Sequence, residues 1–192
     1  MSIAPACCAH TSMTISHPQS QGVERVILVN ERDEEIGTEE KLRAHELTLM
    51  HRAFSVFLEN SAGEILLQRR AEQKYHSAGL WSNTACGHPR PGEPVDSAAR
   101  RRLREEMGID CALTEVSAFT YCLRVADQLT EHEFDHVFVG VWDGVPSPDP
   151  AEVAEWAWRS PEALVSELRN HPELFSPWLP LAWKAMEEQS RA

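Results

Sequence analysis

An α+β, or mixed α/β, domain is the fold class this sequence predicts, on three observations. Residues 51–59 (HRAFSVFLE) alternate: Phe54, Val56 and Leu58 share one face, and His51, Ala53 and Ser55 the other, the period of a strand. Residues 94–107 set Val95, Ala99, Leu103 and Met107 in one stripe, the period of an amphipathic helix. Strand-like segments lie on both sides of that helix, and helical segments close the chain, an order that belongs to mixed folds.

Residues 23–30 (VERVILVN) are rich in β-branched side chains and read as the first strand. Residues 31–37 read as a turn, and Thr38 followed by Lys41 and Leu42 predicts a short capped helix to about residue 47. After a turn at 60–63, residues 64–70 return as the second strand of a hairpin. Residues 73–82 read as irregular and 81–86 as a short strand. Pro94 in its first turn and Gly108 past its end bound the main helix. Strands follow near 113–124 and 131–142. Residues 143–150 hold one Gly and three Pro and read as a loop. Residues 153–158 read as a strand, and 161–169 and 177–188 as helices. No repeat is visible: residues 1–22 read as a disordered tail and 23–192 as a single domain.

Composition narrows the function. The 192 residues are 42% hydrophobic and 25% charged, as in an ordinary globular protein. Eighteen Lys and Arg against 30 Asp and Glu give a formal charge of −12, a poor surface for nucleic acid. No stretch approaches the length of an apolar membrane span. Residues 1–22 lack Lys, Arg and a long apolar core, so they do not read as a secretory signal. Five cysteines without a C-x-x-C read as reduced thiols in a cytoplasmic protein. Cys7, Cys8 and His10 could bind a metal, but their surroundings read as tail.

Four constellations could carry chemistry. Arg101 with Glu105, and Arg102 with Glu106, are i,i+4 neighbours on the main helix. They read either as surface salt bridges or as a face that holds Mg²⁺ through carboxylate oxygens and an oxyanion through Arg forks. Cys86-Gly87-His88, if extended, points a thiol and an imidazole to one side, with Gly87 open to close approach; the alternative is a buried thiol beside an incidental His. Glu131 and Glu133 share a strand face, as ligands or as solvated carboxylates. With His45, His51 and His88 they would fill an octahedral Mn²⁺, Mg²⁺ or Zn²⁺ site with one position left over. Taken singly, each His reads as a surface or core residue.

Residues 87–109 resemble the Nudix box, G-x5-E-x7-R-E-U-x-E-E-x-G-U with U apolar. The matches are Gly87, Glu93, Arg101, Leu103, Glu105, Glu106, Gly108 and Ile109. Arg102 stands where the pattern has Glu, replacing a metal ligand by a phosphate-seeking cation. Further segments widen the resemblance: EKLRAH (40–45), HRAFSVFLEN (51–60), LQRR (67–70), LWSNTACGHP (80–89), 102–108, 119–121, 131–133 and FSPW (175–178). Together they resemble the type I isopentenyl-diphosphate isomerases of the Nudix superfamily.

That resemblance implies a Nudix fold, a central mixed β-sheet flanked by helices, and conversion of isopentenyl to dimethylallyl diphosphate through a tertiary carbocation in isoprenoid biosynthesis. It implies a divalent metal on His45, His51, His88, Glu131 and Glu133. It implies catalytic Cys86 and Glu133 with Tyr121 beside Glu133, and Lys41, Arg70, Lys74 and Arg102 around the diphosphate. Glu106 would help bind a substrate-bridging Mg²⁺, and Trp178 would face the hydrocarbon. The reaction needs one group giving and one taking a proton. Glu133, relayed through Tyr121, is assigned as acid and Cys86 as base, with the reverse left open. The expected partner is the small-molecule substrate, with neither nucleic acid nor membrane, and the chain is expected to be a monomer or weak homodimer. Two other readings stand: a Nudix hydrolase of a nucleoside diphosphate derivative, and a metal-dependent binding module without catalysis.

Overall fold

The computed structural model describes residues 23–190, so the tail expectation, with Cys7, Cys8 and His10, lies outside the described residues. The elements are β1 (Arg25–Val29), β2 (Glu35–Glu40), α1 (Lys41–Glu46), β3 (His51–Glu59), β4 (Ile65–Arg70), β5 (Trp81–Ser82), β6 (Ala85–Gly87), α2 (Val95–Met107), β7 (Thr114–Ala126), β8 (Leu129–Val141), β9 (Val153–Arg159), α3 (Pro161–Asn170), a 3-10 turn (Pro172–Leu174) and α4 (Leu179–Ser190).

β3 is the axis of one mixed sheet. β8 runs parallel along its whole length, from His51 opposite Glu133 to Glu59 opposite Val141. A strand has two edges, so β1, β6 and β4 must share the other in turn, and each pairs there antiparallel. β7 extends the sheet beyond β8 as a long hairpin, and β9 pairs along β4. Both faces of β3 are covered, which explains why it is buried almost throughout. Phe54, Val56, Leu58 and Phe138 pack on Ala98, Ala99, Leu103 and Met107 of α2. Phe57 and Val137 pack on Leu164 of α3 and Leu179, Ala182 and Trp183 of α4.

Three expectations are corrected. Residues 35–40 form β2 rather than the end of a turn: the strand is an exposed edge (Ile36 is 65% exposed) and carries no apolar alternation to reveal it. Thr38 therefore does not cap a helix; its hydroxyl accepts from Arg25 at 2.9 Å, and α1 starts after Glu40 without a side-chain cap. The residue 51–70 hairpin survives only at its root, because β4 leaves β3 after Glu59–Ile65. Thr84 fills the resulting gap, where its hydroxyl accepts from the Leu58 N–H (2.9 Å) and donates to the Leu66 carbonyl (2.7 Å). That insertion divides residues 81–86 into β5 and β6.

Gly108 ends α2 in the left-handed region at φ 67°. A Cβ there would lie 2.5 Å from the Ser147 carbonyl oxygen, whose backbone N–H is bonded to the Met107 carbonyl. Gly108→Ala combines backbone strain with that clash and is expected to destabilise the fold by about 2–3 kcal/mol. Urea unfolding checks this, and an unchanged midpoint would contradict it.

Candidate active site

Strand register assembles the site. Glu133 is the cross-strand partner of His51 on β3 and of Tyr121 on β7. Across the other edge of β3, Cys86 is the partner of Ser55. His51 and Ser55 lie four residues apart on one strand, so all five side chains issue from one face. A cavity of about 320 Å³ opens there, lined by Cys86, His88, Tyr121, Glu131 and Glu133, by Lys41, Arg70, Lys74 and Arg102, and by Glu106, Glu152 and Trp178.

The imidazoles are oriented from behind. His45 Nδ1 lies 2.6 Å from the Lys41 carbonyl oxygen and His51 Nδ1 lies 2.8 Å from that of Leu49. A carbonyl can only accept, so each Nδ1 holds the proton and each Nε2 presents a lone pair. His88 Nε2 is 3.2 Å from His51 Nε2 and 2.9 Å from Glu133 Oε1. The donor atoms of His45, His51, His88 and Glu133 all lie within 4.8 Å of one another. His45 Nε2 is buried without a hydrogen-bond partner. Three inward imidazoles, one orphaned, and a carboxylate fit a divalent cation. Glu131 stands to one side: its Oε1 is 3.3 Å from His76 Nε2, and it forms a second trio with His45 and His76. Four of the five expected ligands thus meet directly, and Glu131 reaches them through His45.

The charge states follow from burial and neighbours. Burial alone would raise the Glu133 carboxyl, but hydrogen bonds with His51 and His88 outweigh it and hold the group well below the usual carboxylate range. Burial and the nearby Glu133 charge push Glu131 well above that range. Burial lowers His88 to about 3. The Tyr121 hydroxyl donates to Glu133 Oε2 at 2.5 Å, and burial raises its phenol well above the usual value. Burial, with the Glu106 carboxylate, pushes the Cys86 thiol up to about 12, so it holds its proton.

The four expected phosphate-binding cations all line the cavity, each in a different pairing. Arg102 donates to Glu105 (2.8 Å), Glu106 (3.1 Å) and Glu152 (2.9 Å), and Lys74 meets the same Glu152 oxygen as Arg102. Lys41 pairs with Glu24 at 3.2 Å. Arg70 is 7% exposed and, among the described residues, has no carboxylate partner. Its Nε is buried and unbonded, and its guanidinium lies 5.2 Å from the Trp178 ring centroid. A buried arginine with a free donor is a ready anion site. Trp178 is buried and donates from Nε1 to Asn83 Oδ1 at 3.2 Å. Glu106 is 3% exposed, and its Oε2 accepts from Gln68 at 2.6 Å. A Cβ on Gly87 would make only ordinary contacts, 3.4 Å to Arg102 and Phe54, so packing does not require glycine there.

Comparison with known proteins identifies the family. The NUDIX domain family model matches residues 49–179. An isopentenyl-diphosphate Delta-isomerase of Serratia proteamaculans is 50% identical, over 81% of this chain and 87% of that protein. One from Burkholderia multivorans is 53% identical, over 81% of this chain and 88% of that protein. This chain belongs to the isopentenyl-diphosphate Delta-isomerase family. Its Nudix fold is shared with a crystal structure from Deinococcus radiodurans (TM-score 0.70, 25% identity, 84% of this chain and 99% of that one). A MutT protein from Methanosarcina mazei Go1 shares the fold too (TM-score 0.61, 19% identity, 74% and 96%). No helix among the described residues is long and apolar enough to cross a membrane.

Sequence reasoning missed His76 and Glu152, which line this cavity, and Asp135, which is buried behind its wall against Ser55. His76 and Glu152 carry no motif of their own, although His76 follows Lys74 by two residues and Glu152 precedes a strand. Asp135 continues the Glu131, Glu133 alternation and could have been found by it. It is 1% exposed, accepts from Ser55 at 2.9 Å through Oδ2, and leaves Oδ1 unbonded. Burial, with the Glu133 charge, raises its carboxyl well above the usual range. A raised carboxyl contributes stability below the unfolded pKa, near 4, and loses it as pH climbs toward the folded value. Asp135→Asn removes that loss, so the variant should gain on wild type between pH 5 and pH 8. Thermal melts at both pH values test it, each kcal/mol registering as about 2–4 °C. A constant Tm difference would show that Asp135 does not titrate in this window.

Proposed function

We propose that this chain isomerises isopentenyl diphosphate to dimethylallyl diphosphate, as the names of its relatives state for them. The observation that carries the reading is one cavity that joins a thiol, a Tyr–Glu pair and a His/Glu cation cluster to four basic side chains. Arg70, Arg102, Lys74 and Lys41 bind the diphosphate locally, against a chain that is net acidic. Trp178 offers an indole face to the hydrocarbon, where a carbocation is stabilised without being trapped by a nucleophile.

Isomerisation adds a proton to the terminal alkene carbon and removes one from C2. Burial favours the protonated Cys86 thiol, and hydrogen bonds with His51 and His88 favour the ionised Glu133 carboxylate. These directions support Cys86 as the donor and Glu133, oriented by Tyr121, as the acceptor, the alternative order that the sequence leaves open. His45, His51, His88 and Glu133, joined by Glu131, would hold a divalent cation: Mn²⁺, Mg²⁺ or Zn²⁺. Such an ion supplies fixed positive charge that keeps a carboxylate ionised, and Mg²⁺ held with Glu106 would neutralise the substrate phosphates. The hydrolase reading is disfavoured by Arg102, which occupies the position of a Nudix-box carboxylate.

Incubation with isopentenyl diphosphate and Mg²⁺ in D₂O, followed by proton NMR, tests the proposal. The dimethylallyl isomer should appear with deuterium in a methyl group and be abolished in Cys86→Ala. Release of inorganic phosphate from nucleoside diphosphate derivatives, with no isomer formed, would move the function to hydrolysis.

A further inference from the structure

We propose that His76 is a sixth protein ligand to the divalent cation, filling the position that three His and two Glu leave over. The inference rests on the reading of the His/Glu cluster as a cation site, and adds to it a residue from the segment between β4 and β5. Two groups of donor atoms, each within 4.8 Å, meet in this part of the fold: His45, His51, His88 and Glu133, and His45, His76 and Glu131. His45 belongs to both. Its Nδ1 is engaged by the Lys41 carbonyl, so only Nε2 is left to ligate, and that atom is buried and unpartnered. One lone pair serves one ion. The two groups are therefore two sides of a single coordination sphere rather than two sites. Opposite ligands of an octahedral ion such as Mg²⁺ lie about 4.2 Å apart, and the donor atoms within each group already lie within 4.8 Å of one another. His76 is 8% exposed, and its Nε2 already faces Glu131 Oε1 at 3.3 Å.

Six protein ligands leave no position for water on the ion. The cation then acts as a clamp, tying the segment that carries Lys74 to α1, β3 and β8. Cation binding would thereby set Lys74 in place before the diphosphate arrives.

The test uses Mn²⁺ alone, added to the purified full-length chain. Affinity is read from the EPR signal of free Mn²⁺, and water on the ion from the relaxation rate of bulk water protons. Wild type is expected to bind Mn²⁺ with no coordinated water. His76→Gln and His76→Ala, both checked for native circular dichroism, should bind about tenfold or more weakly and gain one exchanging water, which added imidazole displaces in His76→Ala. Equal affinity and water count in wild type and both variants would overturn the role of His76 alone. Weaker binding with no added water would also overturn it, leaving His76 as a hydrogen-bond partner of Glu131. Failure of the wild type to bind Mn²⁺ would overturn the cation reading beneath it.

Discussion

Glu133→Gln is expected to lower isomerase turnover by roughly 10²–10⁴-fold, the range that one positioned acid–base group contributes. The substitution keeps the shape of the side chain and the β8 register that places it opposite His51 and Tyr121. It removes the one charge in the group of His45, His51, His88 and Glu133. Two losses therefore coincide: a proton acceptor at C2 and a charged ligand for the cation. Steady-state rates with isopentenyl diphosphate measure the first, and metal content after dialysis measures the second. Tyr121→Phe separates them, because it takes the 2.5 Å hydrogen bond from Glu133 and a longer one, 3.4 Å, from Glu131, and leaves the imidazoles and both carboxylates in place. It should reduce turnover with metal content unchanged. Wild-type turnover in Glu133→Gln would exclude the carboxylate from the chemistry.

How much of this was legible in the sequence depends on the range of the interaction. β3 and α2 were read nearly to the residue, because Phe54, Val56 and Leu58, and Val95, Ala99, Leu103 and Met107, declare their faces through local periodicity. β2 was invisible because EIGTEE is an exposed edge with no apolar face. The parallel pairing of β3 with β8 joins residues about eighty positions apart, and nothing local encodes that register. That register sets His51 beside Glu133, and the β7–β8 hairpin sets Tyr121 there too; the resemblance supplies these groupings, and local periodicity does not. Glu131 shows the difference. Its alternation with Glu133 was legible, but its contact with His76 depends on how residues 71–80 fold back over β8. Glu152 was missed for the same reason, since its partners Lys74 and Arg102 come from the segment between β4 and β5 and from α2.

Arg102→Glu restores the Nudix-box residue and should weaken substrate binding by at least an order of magnitude. Arg102 is the cation on which Glu105, Glu106 and Glu152 converge. Losing its charge-assisted hydrogen bonds costs about 1.5–3 kcal/mol, each 1.4 kcal/mol being tenfold in binding. A new carboxylate beside Glu106 and Glu152 adds repulsion against the incoming diphosphate. The damage should fall on KM, because Arg102 is assigned to the diphosphate and Cys86 and Glu133 to the alkene. Arg102→Lys keeps the charge but loses the fork that reaches three carboxylates, so it should lie between the two. The helix itself should persist, since Arg101 remains clamped to Glu93 at 2.8 and 2.9 Å. An unchanged KM in Arg102→Glu would remove Arg102 from the diphosphate site and leave Arg70, the buried cation without a carboxylate partner among the described residues, as its principal anchor.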